Sequence, residues 1–203
     1  AQTRVHDVTT AEASLTLRYA PGESFVNSKQ RRIPVSLDAP IFTLTHAMGF
    51  KGVLGGEYSF NRTEASVWKR FWLPSSWGKI DCSIKAGAEW NTVPFPLLIL
   101  PEANLSYITQ RETFNLINNM EFLNDRFASV SLSYDMNGKL FNRIPLIKNL
   151  KWREMFRVRA LWGTLTDKNN PFKSSNPDLF RFPMRDGKFT SFVMDPKIPY
   201  VEA

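Results

Sequence analysis

The stretch Ile80–Trp90 constrains the fold more than any other. Ile80, Cys82, Ile84, Ala86, Ala88 and Trp90 alternate with Asp81, Ser83, Lys85, Gly87 and Glu89. Side chains along a strand point to opposite faces with a period of two. One face is therefore apolar and closes with a Trp, while the other carries acid, base and hydroxyl. Two architectures accept such a strand. One is the half-buried wall of a soluble sheet; the other is the wall of a transmembrane barrel, with lipid outside and a wet lumen inside. The rest of the chain chooses between them.

The same alternation recurs. Glu12–Tyr19 sets Ala13, Leu15, Leu17 and Tyr19 against Glu12, Ser14, Thr16 and Arg18, and Pro21-Gly22 follows as a turn. Phe25–Ile33 is a weaker strand that pairs back. Ile41–Phe50 puts Phe42, Leu44, Met48 and Phe50 on one face, with His46 among them. Gly55-Gly56 turns into a long strand, Tyr58–Arg70. Trp68, Phe71, Trp72 and Trp77 gather at its end around Pro74, in the manner of an interfacial aromatic belt. Val93–Pro101 contains Pro94, Pro96 and Pro101, which cannot donate to a sheet ladder, so it reads as an extended apolar loop. Asn115–Leu123 reads as a short helical or irregular segment.

Phe127–Tyr134 sets Val130, Leu132 and Tyr134 against Ser129, Ser131 and Ser133, and Asn137-Gly138 turns. A mixed basic and apolar connection covers Phe141–Arg153. Glu154–Leu165 sets Phe156, Val158, Ala160 and Trp162 against Arg157, Arg159 and Leu161. Asp167–Gly187 is a polar loop, and Ile198–Ala203 opens a further strand. The pattern predicts roughly seven to nine strands. Long loops are expected at Asn91–Asn104, Met136–Arg153 and Asp167–Pro199. Loops of that length are uncommon in compact soluble domains and routine on one side of membrane barrels.

Composition agrees. The chain has 203 residues, one domain by size. Aromatic residues make up 13%, a proportion suited to the girdles of a barrel. The net charge is +7, but the basic residues are dispersed, and the tightest groups, Arg31-Arg32 and Lys69-Arg70, are only pairs. That argues against nucleic acid as a partner. No run approaches the roughly 20 apolar residues of a membrane helix, which a barrel does not need. The single cysteine, Cys82, permits no intrachain disulfide and sits on the apolar face. Ala1–Thr10 lacks the apolar core of a signal peptide. An exported protein then implies that a leader was removed or that the chain is a piece of something longer.

Several segments resemble a family of outer-membrane proteins from the Bacteroidetes lineage. They are Leu17-Arg18-Tyr19-Ala20-Pro21-Gly22-Glu23, Gly52-Val53-Leu54-Gly55-Gly56, Arg70-Phe71-Trp72-Leu73 and the run Val93–Pro101. Phe141-Asn142-Arg143-Ile144-Pro145-Leu146-Ile147-Lys148 leading into Leu150–Glu154, Leu161-Trp162-Gly163 and Asp167–Pro171 belong with them. The resemblance covers essentially the whole chain. Members pair an N-terminal domain like the regulatory domain of carboxypeptidases with a C-terminal barrel. That barrel is distantly similar to the Omp85 and surface-antigen barrels that insert or export proteins. The resemblance implies a single β-barrel domain fragment over residues 1–203, lacking an N-terminal soluble domain and the last strands. Two departures stand out. The chain ends at Tyr200-Val201-Glu202-Ala203, where the family barrel runs on. The Arg-Gly-Phe type motif of the Omp85 insertion loop is missing, Arg181-Phe182-Pro183 being the nearest text.

The chemistry is sparse. A Ser-His-acid array would need His6, in a polar terminus, or His46, mid-strand among apolar neighbours. Thr45, Ser59 and Ser66 are possible hydroxyl partners for His46, and nothing singles one out. No phosphate loop, zinc spacing or calcium loop appears. The expectation is no catalytic residue, no metal and no cofactor.

Charges on the polar faces define the candidate site: Glu12, Arg18, Asp81, Lys85, Glu89, Asp135, Glu154, Arg157 and Arg159. They either set solute selectivity in a charged lumen or form a salt-bridged filling, and a narrow barrel favours filling. Val93, Phe95, Leu97, Leu98, Ile99 and Leu100 form either a partner-docking loop or a plug against the barrel end. The fold expected is all-β, an antiparallel transmembrane β-barrel with long loops. The partners expected are the lipid bilayer of the outer membrane and other outer-membrane or surface lipoprotein subunits. The function expected is that of a non-enzymatic structural or interaction barrel. A transport or insertion barrel is the alternative, and an envelope enzyme is the remotest reading.

Overall fold

The computed structural model describes residues 8–27, 29–106, 113–117, 122–166 and 168–169, and the backbone of 189–202. His6, most of Asp167–Gly187 and part of Asn115–Leu123 lie outside the described residues. The described chain is all-β and antiparallel. Its strands are β1 (Glu12–Tyr19), β2 (Phe25–Asn27), β3 (Arg32–Pro34), β4 (Ile41–Gly49), β5 (Phe60–Trp72), β6 (Lys79–Glu89), β7 (Arg126–Asp135), β8 (Arg153–Leu165) and β9 (Phe189–Glu202). Seven of them form one sheet in the order β1-β4-β5-β6-β7-β8-β9. Each neighbour in that sheet is antiparallel.

Three expectations need correction. Phe25–Ile33 does not add a strand to the main sheet; β2 and β3 form a separate two-stranded ribbon. The loop expected over Asp167–Pro199 gives way to β9 from Phe189 onward, and Ile198 lies inside that strand. Among the described residues β9 pairs only with β8, and an edge strand tolerates Pro196 and Pro199, which have no N–H. Finally, the sheet is open among the described residues, because β1 and β9 each have one partner. The reason is parity. Seven alternating strands leave the first and last running the same way, and antiparallel closure needs an even number.

The sheet is built inside out relative to a soluble domain. Successive rows on its outer face read Leu17–Leu44–Ala65–Ala86–Ala128–Trp162 and Tyr19–Phe42–Val67–Ile84–Val130–Ala160. The next rows read Lys69–Cys82–Leu132–Val158 and Phe71–Ile80–Tyr134–Phe156. Many of these side chains are exposed: Leu17 at 56%, Leu44 and Ile84 at 45%, Trp162 at 45%. The inner rows are polar: Arg18–Thr43–Ser66–Lys85–Ser129, then Trp68–Ser83–Ser131–Arg159, then Arg70–Asp81–Ser133–Arg157. Trp68 therefore does not join an outer belt. It shares a parity with Arg70 and faces inward, and the Arg70 guanidinium lies 5.4 Å from its ring centroid.

Among the described residues, buried apolar clusters lie at one end of the sheet. Phe60, Val93, Leu98, Leu123 and Leu165 form one buried cluster, and Phe114, Ile117 and Leu161 form another. Both depend on the long β6–β7 connection. Bridges Ile99–Asn124 and Ala103–Phe114 fold that connection on itself, and Ile99, Glu102 and Phe114 line the space beside the inner face.

Candidate functional site

The inner face encloses a cavity of about 530 Å³. Its wall is built by strand alternation alone. Most inward residues of β4, β5, β6 and β7 bring a hydroxyl or a charge, among them Thr43, Thr45, Ser66, Ser83, Ser129, Ser131 and Ser133, with Trp68 and Phe127 as aromatic exceptions. Several acids and bases on this wall are paired. Arg70 donates to both carboxylate oxygens of Asp81, at 2.6 and 2.9 Å. Asp135 stands 3.6 Å from Lys79, and Glu102 of the overlying loop stands 3.5 Å from Lys85. Arg157 and Arg159 are 5% and 3% exposed, so the most buried cations of the sheet lie on this face. Lipid or apolar core would not accept them there without compensating groups and water.

The other sequence candidates divide. Glu89 is buried on the inner face; its carboxylate accepts from Asn61 N and Arg62 Nε, each at 3.2 Å. Arg62 also donates to Leu97 O, so this pair ties the loop to the wall. Glu12 is exposed at the end of β1, opposite Gly49 and outside the cavity. Arg18 turns to Glu23 across the Pro21-Gly22 turn, with bonds of 2.7 and 2.9 Å, rather than joining the wall. That hydrogen bond holds the Glu23 carboxyl below its ordinary range.

Glu154 also departs from expectation. It has the outward parity of Phe156, and its carboxylate accepts from Phe141 N, so it fastens the β7–β8 connection instead of facing the lumen. Its burial at 1% exposure comes from that connection lying over it.

The apolar loop is folded as a cap. Val93, Leu98 and Ile99 are buried, Leu97 packs beside them, and Phe95 and Leu100 remain exposed at 39% and 36%. Ile99, Leu100, Pro101 and Glu102 line the cavity.

Sequence reasoning missed the residues that hold this cap. Asp125 Oδ2 accepts from Thr166 N at 3.1 Å, from Thr166 Oγ1, and from Asn169 Nδ2 at 3.4 Å. Asn169 Oδ1 accepts from Val93 N at 2.9 Å, and its Nδ2 donates to Asn91 O at 3.2 Å. Asn124 fits only because residue 163 is Gly, where a Cβ would stand 2.2 Å from Asn124 Oδ1. The dipeptide Asn124-Asp125 before a strand was a legible turn signal. Its partners, some 40 residues away, were not.

His46 has outward parity and shares a 2.9 Å contact with Thr63 Oγ1, to which Trp90 Nε1 also donates. Thr45 and Ser66 face the opposite way, with Thr45 Oγ1 3.1 Å from Thr16 Oγ1. The imidazole and these hydroxyls are therefore on opposite sides of the sheet. Among the described residues, no group of three His, Cys, Asp or Glu is placed to hold a metal.

Residues 1–172 match the family of unknown function DUF5686, C-terminal domain. The chain belongs to that family. Its description names no activity, and the DUF5686 match extends from before β1 past the end of β8. No curated protein matches this DUF5686 domain, and no solved structure does.

Proposed function

We propose that this DUF5686 domain is a lipid-facing wall of a transmembrane β-barrel in an outer membrane, and that it serves as a non-catalytic structural and interaction subunit of an envelope assembly. The observation that carries the reading is the pair of opposed faces. Row after row of mostly apolar side chains, many of them exposed, crosses four or six strands, while charges and hydroxyls, with buried Arg157 and Arg159, occupy the other side. Strand length fits as well. The 13 residues of β5 extend about 41 Å, which at a tilt of about 45° spans about 29 Å of the roughly 30 Å hydrocarbon layer.

Backbone groups at a lipid-exposed sheet edge have no water to bond. The open edges of β1 and β9 therefore take up an odd number of further strands, which restores antiparallel pairing around the wall. The segments that resemble Bacteroidetes outer-membrane barrels support the same setting, with a carboxypeptidase-regulatory-like domain as companion. The cap over the cavity end favours a filled barrel. The 530 Å³ space lined by hydroxyls and paired charges supports a second reading, a transport or insertion barrel.

Gel mobility of the full-length protein from outer membranes, boiled against unboiled, tests the reading. A heat-dependent shift with β-rich circular dichroism is expected. A water-soluble protein with no shift would place this sheet in a soluble sandwich. Single-channel recording then separates a capped barrel, which stays silent, from a conducting one.

A further inference from the structure

We propose that the β7–β8 connection, residues 136–153, is an anchor for anionic phospholipid, docking on lipid phosphates where the apolar face meets the headgroups. This rests on the lipid-facing reading of the sheet.

The segment's charge is unlike that of the wall. It carries Lys139, Arg143, Lys148, Lys151 and Arg153 and no acid. On the wall, Arg62, Arg70, Lys79 and Lys85 each stand beside a carboxylate. Arg143, Lys148, Lys151 and Arg153 are exposed and form no ion pair among the described residues. The same segment exposes Leu140 at 43%, Ile144 at 44%, Leu146 at 85% and Leu150 at 53%. Bare leucine beside exposed cations is costly in water and favourable at a bilayer surface, where apolar side chains enter the acyl boundary and cations meet phosphate. An acidic soluble partner would satisfy the charges and leave the leucines without a place.

The segment is also held at the right level. Lys139 Nζ donates to Ser75 O and lies 4.3 Å from the Trp77 ring centroid. Tyr134 OH donates to Trp77 O at 3.0 Å, and Phe141 meets Trp152 edge-on with centroids 6.4 Å apart. The bond from Phe141 N to Glu154, which has outward parity, brings the connection to the outer rim. Phe71 and Trp77, exposed at 48% and 39%, mark that same end of the sheet. Cations next to exposed aromatics at the edge of an apolar band are the usual composition of a headgroup layer.

The test reconstitutes the full-length protein in phosphatidylcholine vesicles with and without phosphatidylglycerol. Gel mobility reports the barrel. Lipids retained in native mass spectrometry report the anchor. The expected result is a mobility shift together with about ten-fold or greater retention of phosphatidylglycerol over phosphatidylcholine, given the attraction of each surface cation to anionic lipid.

Replacing Arg143, Lys148, Lys151 and Arg153 together by Gln should bring retention to parity and leave the shift intact. Lys51→Gln with Arg126→Gln, cations at the opposite end, should leave the preference unchanged. Inorganic phosphate at matched ionic strength should not displace the lipid. A shifting protein that retains both lipids equally, or whose preference survives the fourfold variant, overturns the anchor and leaves the barrel. Displacement by free phosphate also overturns it. A protein with no shift that binds phosphatidylglycerol vesicles through these four residues keeps the anchor and overturns the barrel. With neither shift nor binding, both fall.

Discussion

Replacing Ile84 by Arg separates lipid from water on the outer face. Ile84 is the middle residue of β6, lies between Val67 and Val130 in the register and is 45% exposed. In a lipid-facing wall, an arginine near the bilayer midplane costs about 2–4 kcal/mol, a fall of roughly 30- to 700-fold in the folding equilibrium. In water, an exposed substitution changes stability by about 0.5 kcal/mol, and the two lost cross-strand contacts, with Val67 and Val130, add about 0.2–1 kcal/mol each, about 1–2.5 kcal/mol in all. The deciding comparison is therefore with a rim position on the same face. Urea unfolding in phosphatidylcholine vesicles, followed by tryptophan fluorescence and gel mobility, measures the difference. Phe71→Arg is the internal control. It sits at the last outward position of β5 beside Ile80, near the rim, where the same change costs about 0–1 kcal/mol. If Ile84→Arg costs no more than Phe71→Arg, the face is wet and the membrane reading fails.

Three further outcomes follow from the inner face and its loops. Asp81→Asn removes the carboxylate that takes two bonds from Arg70 and should cost about 1–2 kcal/mol in the same unfolding assay, solvent in the cavity reducing the loss; an unchanged midpoint would mean the pair is idle. Asn169→Ala leaves Val93 N and Asp125 short of a partner, and should cost about 1–3 kcal/mol and speed chymotryptic cleavage after Leu97; unaltered cleavage would show that apolar contacts alone hold the cap. The Glu23 carboxyl is depressed below 4.5 in the folded chain by its hydrogen bond from Arg18, so the turn contact is complete above that pH and is lost as pH falls through the lower folded value. An NMR titration of the Glu23 carboxyl should follow that order, and a midpoint at or above 4.5 would contradict the contact.

Much of the fold was legible because alternation is a local property. Glu12–Tyr19 was bounded at the residues where β1 starts and stops, and the β6, β7 and β8 segments were each placed to within a residue or two. Their two faces were assigned correctly because neighbours on a strand must point apart. The loop expected up to Pro199 hid most of β9, an edge strand that tolerates Pro196 and Pro199. The candidate site was half legible. Asp81, Glu89, Asp135, Arg157 and Arg159 share the inner face, as their parity required. Glu154 has the other parity, and only the folding of Phe141 over it shows what its charge does.

What the sequence by itself determined, then, is composition by face: apolar outward, polar inward, strand after strand, because the period of two is fixed by the backbone of each strand alone. Tertiary structure decided what needs distant partners. It set the register that puts Arg70 on Asp81, the open edges at β1 and β9, and the folding of the long loop into a cap. That cap depends on Asn169 reaching Val93 across 76 positions. Such contacts follow from closing long loops, whose cost and reward are summed over the whole chain rather than written in any one segment.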